Sequence, residues 1–226
     1  MFIFYLILFL IVLFLFSFIL KILDLLGSIF AFIQGLIVSI FGSIYFLFLL
    51  IIFVAISFIA THYKHSKKEG ISGFENTRSW KSVFSKGIIP FIVVFLPLSF
   101  FNKELFFSIA VAAATSDTIS GELGVLSNRA FYITNLKKAR PGDNGAISIL
   151  GEIWAIVGSL IIAIFSYIFF NLNIFEFILI VILGFVGSQI DSLMGALLEN
   201  KGKMKKYTVN IVAIGLSILL AYIFLL

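Results

Sequence analysis

Cysteine is absent from this chain, which excludes disulfides and thiolate metal sites. Charge is scarce too. Asp, Glu, Lys and Arg make up 12% of the 226 residues, about half the share of a soluble domain. Apolar residues reach 62%, more than a globular core of this length can hide. The solvent must therefore be lipid. The first 20 residues lack the basic start and small-residue cleavage site of a signal peptide, so they read as a retained helix. The net charge of +5 calls for no nucleic acid, because basic residues also mark one side of a membrane protein.

A membrane helix needs about 20 mostly apolar residues. Candidates are 2–20, 87–101, 105–126, 147–170, 174–198 and 207–226. Residues 25–62 are too long for one span, and Gly42-Ser43 divides them into helices 25–41 and 43–62 around a tight turn. The expected fold is all-α: a polytopic integral membrane helix bundle of about eight helices (six to eight), one transmembrane domain over 1–226. Segments 25–41 and 87–101 are short enough to be re-entrant or interfacial. With eight crossings, fifteen of the sixteen Lys and Arg fall on one side and Lys103 alone on the other. Positive-inside bias makes the rich side cytoplasmic and puts both termini outside. Its basic loops would meet anionic headgroups or phosphorylated substrates.

Against this background AATSDTISGELGVLS, residues 113–127, is anomalous. An acid at the centre of a membrane helix costs about 2.5–3.5 kcal/mol on insertion scales, so Asp117, Glu122 and Asp191 need a reason. They either pair, snorkel or stay protonated, or they line a metal or substrate site. Asp117 and Glu122 are about 140° apart on an ideal helix, so a shared metal would demand a broken helix near Gly121 and Gly124. Ala110–Ala114 would let another helix approach closely. Asp117-Thr118-x-x-Gly121 and Asp191-Ser192-x-x-Gly195 share a five-residue pattern, a weak echo of an internal repeat.

The following loop, KKARPGDNGAIS (137–148), carries phosphate-pairing cations in Lys137, Lys138 and Arg140. Gly142 and Gly145 around Asp143-Asn144 would let the backbone turn N–H groups toward an anion. The helix expected from Ala146 would point its positive end there. A solvated topogenic loop is the other reading of the same lysines. In the 62–86 loop Arg78 and Lys81 are candidates for an anionic headgroup, beside Trp80. His62 and His65, at i and i+3 without a nearby carboxylate on the same turn, make a poor zinc site. Glu152 suits a helix start, and Asn210 would donate into the same cavity.

Together, ATSDTISGELGVLS, KKARPGDNGAISILG and GFVGSQIDSLMGALLE (184–199) resemble the membrane family that includes transmembrane protein 19 and plant phytyl-phosphate kinase. The likeness runs from about residue 25 to the C-terminus and includes Arg78 and Trp80. More distantly, Asp117, Ser120, Gly124, Lys137-Lys138 and Gly142 follow the outline of CTP-dependent polyprenol kinases, with Asn128 in place of that motif's second glycine. The resemblance implies transfer of a phosphoryl group from a nucleoside triphosphate, CTP favoured, to an isoprenyl monophosphate such as phytyl or geranylgeranyl phosphate. It further implies Mg²⁺ on Asp117, Glu122 and Asp191 as the catalytic acids. Ser120, Gly124, Lys137, Lys138, Arg140, Gly142, Asn144 and Gly145 would bind the nucleotide, and Arg78, Lys81 and Asn210 the acceptor headgroup. The partners expected are the bilayer, the isoprenyl phosphate, the nucleotide and a second copy in a homodimer. An ion-coupled transporter or lipid flippase is the alternative, since intramembrane acids also serve carriers. An aspartyl dyad of Asp117 and Asp191 would leave the glycine loop unexplained.

Overall fold

The computed structural model describes residues 1–69, 76–97 and 102–226. Among them are eight α-helices: α1 (Phe2–Ile19), α2 (Leu25–Phe41), α3 (Ile44–His62), α4 (Trp80–Val93), α5 (Lys103–Gly124), α6 (Ile149–Phe170), α7 (Ile174–Met194) and α8 (Lys206–Leu225). The protein is a polytopic helical membrane protein. Five helices are long and apolar enough to cross a bilayer: α1, α3, α6, α7 with its continuation to Glu199, and α8. The turn between α2 and α3 falls at Gly42 and Ser43, as the sequence indicates.

The helix with the most polar surface sits in the middle. Seventeen of the 22 residues of α5 are buried, and α3, α4, α6, α7 and α8 surround it. Small residues allow this. An added Cβ on Gly184 would stand 2.7 Å from Ala112 Cβ, and one on Gly187 2.6 Å from Ala113 Cβ. Thus the Ala110–Ala114 stripe receives α7 at close range, the packing such stripes favour in membranes. Ser108, Thr115, Ser116, Thr118 and Glu122 of α5 are thereby buried in protein, and Asp117 and Ser120 are half-buried.

The segment after α3 differs from expectation. The helix predicted at 87–101 begins at Trp80 and ends at Val93; residues 98–101 of that expectation lie outside the described residues. Its first turns carry Lys81, Ser82, Ser85 and Lys86, a polar face turned inward that a hydropathy pattern counts as loop. Asp24 fixes where it starts. Its carboxylate caps α2 by accepting from Gly27 N at 2.6 Å and reaches Trp80 N at 3.2 Å. Beside it Leu23 and Arg78 form a parallel backbone bridge, so Arg78 is held by main chain.

Between α5 and α6 the chain forms a small antiparallel sheet: β1 (Ala130–Tyr132), β2 (Lys138–Ala139) and β3 (Ala146–Ile147), with β1 central. Beyond α7 a π-helical turn spans Gly195–Glu199. The sheet loop, this turn and Arg78 gather around one cavity at one end of the bundle, with Lys21 beside the Leu23–Arg78 bridge. Both chain termini and Lys103 lie at the other. The partition of basic residues read from the sequence is therefore a partition in space.

Candidate functional site

At the loop-rich end, α4, α6 and α8 begin while α5 and α7 finish. Between them lies a cavity of about 290 Å³. The positive ends of three helices converge on it, an arrangement suited to anions. Ser79, Lys81 and Ser82 line it from α4, Ser148 and Gly151 from α6, and Lys206, Tyr207 and Asn210 from α8. Asp117, Ser120, Gly121 and Gly124 contribute from α5, and Gln189, Asp191 and Ser192 from α7. The two D-[ST]-x-x-G segments thus meet at one place, on helices that run in the same direction.

Pro141–Ala146 closes one wall. Gly142 and Gly145 have φ of +91° and +78°, a left-handed backbone that glycine adopts without strain. Gly145 is also sterically fixed: a Cβ there would collide with Ala196 in the π-helical turn. Asn200 Nδ2 donates to Asn144 O at 3.0 Å, so the loop and the end of α7 are interlocked. Within the loop, Asp143 Oδ2 accepts from Tyr132 OH at 2.9 Å and Arg140 N at 3.1 Å. That hydrogen bond, donated by the neutral phenol, raises the Tyr132 pKa above its ordinary value.

The expected loop cations are elsewhere. Lys137, Lys138 and Arg140 stand exposed on the hairpin and do not line the cavity. The short β1–β2 pairing puts Lys138 opposite Phe131 on a ribbon, away from the glycine turn. Of the residues expected to bind the nucleotide, Ser120, Gly124, Gly142, Asn144 and Gly145 do line it, as do the expected headgroup residues Arg78, Lys81 and Asn210. The cavity's cations come instead from Arg78, Lys81, Lys86 and Lys206. Hydropathy alone assigns Lys86 to a loop; the serines at 79, 82 and 85, three apart, are the sequence signal for the polar helix face that carries it.

The three-carboxylate metal site is also corrected. No group of three His, Cys, Asp or Glu suited to a metal occurs among the described residues. The reason is the regularity of α5, which is unbroken through Gly124: Glu122 also lines the cavity, but it stands about 140° around the helix from Asp117 and both its oxygens are taken by cations. Arg78 Nη2 pairs with Glu122 Oε1, and Lys68 Nζ approaches Glu122 Oε2 at 3.3 Å. Arg78 also reaches Thr61 Oγ1 at 3.0 Å, and Lys68 bonds the carbonyls of Ala60 and Thr61. Burial lowers the Lys68 pKa from its ordinary value, and the Glu122 charge opposes that shift.

Asp117 is differently placed. Its Oδ2 accepts from Lys86 Nζ at 2.7 Å, and Lys86 also donates to Thr118 Oγ1 at 2.5 Å. Across the cavity, Asp191 Oδ2 and Asn210 Oδ1 are buried and have no hydrogen-bond partner. Asn210 Nδ2 donates to Ser85 Oγ at 3.3 Å, which leaves its oxygen as the free end. Glu152 accepts from Gln189 Nε2 at 2.7 Å, tying α6 to α7 beneath the site rather than capping its own helix.

Residues 8–219 match the family described as integral membrane protein DUF92, and the chain belongs to it. It is 36% identical over 193 residues to the uncharacterized membrane protein MJ0933 of Methanocaldococcus jannaschii, covering 84% of this chain and 81% of that one. It is 26% identical over 140 residues to the uncharacterized membrane protein sll0875 of Synechocystis, covering 60% of this chain and 52% of that protein. No solved structure matches.

Proposed function

We propose that this member of the DUF92 integral membrane family is a phosphotransferase. It would pass a phosphoryl group from a nucleoside triphosphate, CTP favoured, to an isoprenyl monophosphate and release the diphosphate. The observation that carries this reading is the pair of orphaned acceptors. Burying a polar oxygen without a partner costs roughly 1–3 kcal/mol. Asp191 Oδ2 and Asn210 Oδ1 do so together, in the cavity that holds Asp117, four cationic side chains and the glycine loop. Acceptors kept free opposite a carboxylate suit a hard divalent cation. The residues present fit Mg²⁺ with Asp117, Asp191 and Asn210 as its holders; Glu122 has no part in it. Such an ion would neutralise charge on the transferring group.

The chain's own residues supply the rest. Lys86 and Lys206 would pair with phosphate oxygens, and the N-termini of α4, α6 and α8 would orient them. Gly142 and Gly145 let the loop backbone approach closely. An acceptor phosphate is already a charged nucleophile, so positioning replaces a general base. The resemblance to the phytyl-phosphate kinase family supports the same assignment, and on this reading the positive-inside bias would put the cavity on the cytoplasmic side. A carrier would need a route onward to the far end of the bundle. Below the cavity, α5 is sealed against α7 at Ala112, Ala113, Gly184 and Gly187, which favours the enzyme.

The test is turnover by purified protein in lipid nanodiscs, supplied with Mg²⁺, each nucleoside triphosphate and geranylgeranyl or phytyl phosphate, with product read by mass. Diphosphate formation that disappears in Asp117→Asn is expected. Absence of product with every donor, or an Asp117→Asn variant of full activity, overturns the assignment.

A further inference from the structure

A second cavity of about 220 Å³ lies beside the first, between α1, α2, α3 and α4, and is almost wholly apolar. The phosphotransferase reading makes no use of its walls. Its floor is closed where Leu10, Gly35 and Leu47 meet, all buried; a Cβ on Gly35 would already stand 3.0 Å from Leu10 Cδ2 and 3.1 Å from Leu47 Cδ1. From Leu47 to Thr61, both lining residues, α3 rises roughly 21 Å, well over half of a hydrocarbon core about 30 Å thick. Ala55 lines the slot and is exposed, so the slot opens sideways to lipid.

At its upper end the character changes. Arg78, Ser82, Lys86 and Thr118 line both the slot and the polar cavity. Two cations therefore stand where an apolar channel enters the site, and Lys86 already holds Asp117 there. Ser57 Oγ, buried on the slot wall, has no hydrogen-bond partner. A conduit that is apolar below and cationic at its mouth matches one kind of molecule: a hydrocarbon chain carrying a phosphate.

We infer that the α1–α4 slot is the chain-binding subsite, holding one isoprenyl tail with its phosphate at Lys86, where the slot meets the polar cavity. The inference rests on the phosphotransferase reading for the identity of the head, but its test is binding rather than turnover. Ala31 and Ala55 line the slot from α2 and α3 and touch none of the polar site. Ala31→Phe and Ala55→Phe would fill it with apolar volume, which a membrane-facing position accepts without a polar penalty.

Full-length protein in nanodiscs is titrated with geranylgeranyl phosphate and separately with dimethylallyl phosphate, with affinity read by native mass spectrometry. The filled variants are expected to lose about tenfold in affinity for the long chain while the short chain is unaffected. Equal loss for both chains, or no loss for the long one, overturns the subsite. So does phosphatidic acid competing as well as the single-chain phosphate. Because a phenylalanine variant can fail to insert, wild-type protein is also labelled with a diazirine-bearing isoprenyl phosphate. Crosslinks on α1–α4 support the slot, and crosslinks confined to α6–α8 overturn it. Lack of turnover with binding intact would count against the phosphotransferase reading alone.

Discussion

Asp117 and Glu122 stand five residues apart on one regular helix, and their surroundings are opposite. Glu122 is spent on structure: two cations from the α3–α4 connection close on it, and those cations bind the end of α3 in turn. Asp117 shares its single cation with Thr118 and faces a cavity where two further oxygens have no partner. Both acids line the cavity, yet equal chemistry in the sequence becomes a lock in one and a candidate working group in the other. A buried acid is therefore informative only with its partners. Saturated partners argue for architecture, and orphaned neighbours argue for a ligand.

Changing the orphaned side of that contrast should have the largest effect on chemistry. Asp191→Asn is expected to lower prenyl diphosphate formation on the order of 10³-fold, while the unfolding midpoint moves little because Asp191 Oδ2 has no hydrogen bond to lose. A large stability loss with turnover preserved would erase the distinction. The saturated side should answer in reverse. Glu122→Gln removes the anion that Lys68 and Arg78 share, and breaking a buried pair this way costs about 3–5 kcal/mol. Thermal unfolding in detergent should register that loss, and Arg78→Lys alone should show a smaller one, since it keeps the charge but not the fork that reaches both Glu122 and Thr61.

Smaller effects sharpen the boundary of the site. Lys137→Ala with Lys138→Ala removes exposed charges outside the cavity, so turnover should stay within about twofold. A decrease of an order of magnitude would return these lysines to the nucleotide site. Least of all, the Tyr132–Asp143 bond should respond to alkali. Its phenol pKa lies above the ordinary value of 10.0, so the bond's contribution is complete below that pH and fades as pH rises through the raised value. Tyr132→Phe should abolish this component of the pH dependence of loop protection in hydrogen exchange.

Much of this was legible beforehand. Seven of the eight helices lie where hydropathy put them to within a few residues, because lipid enforces an apolar run of nearly fixed length. The exception, α4, hides a polar face against a cavity, where hydropathy carries no signal. The cavity-lining glycines and Asp191 were readable from local pattern. Lys86, Lys206, Gln189 and the free oxygen of Asn210 were not, since each gains meaning from a residue on another helix.

By itself, then, the sequence determined that the chain is a membrane bundle, where it turns, which end collects the basic residues, and that the acids on α5 and α7 require an explanation. Composition and periodicity suffice for this because they report the energy of a residue in its solvent. Only the tertiary structure decided which acids share a cavity, which cations neutralise them and which oxygens stay unpaired. Those outcomes depend on angles around helices and on how closely small residues let helices approach, and a one-dimensional pattern does not contain them.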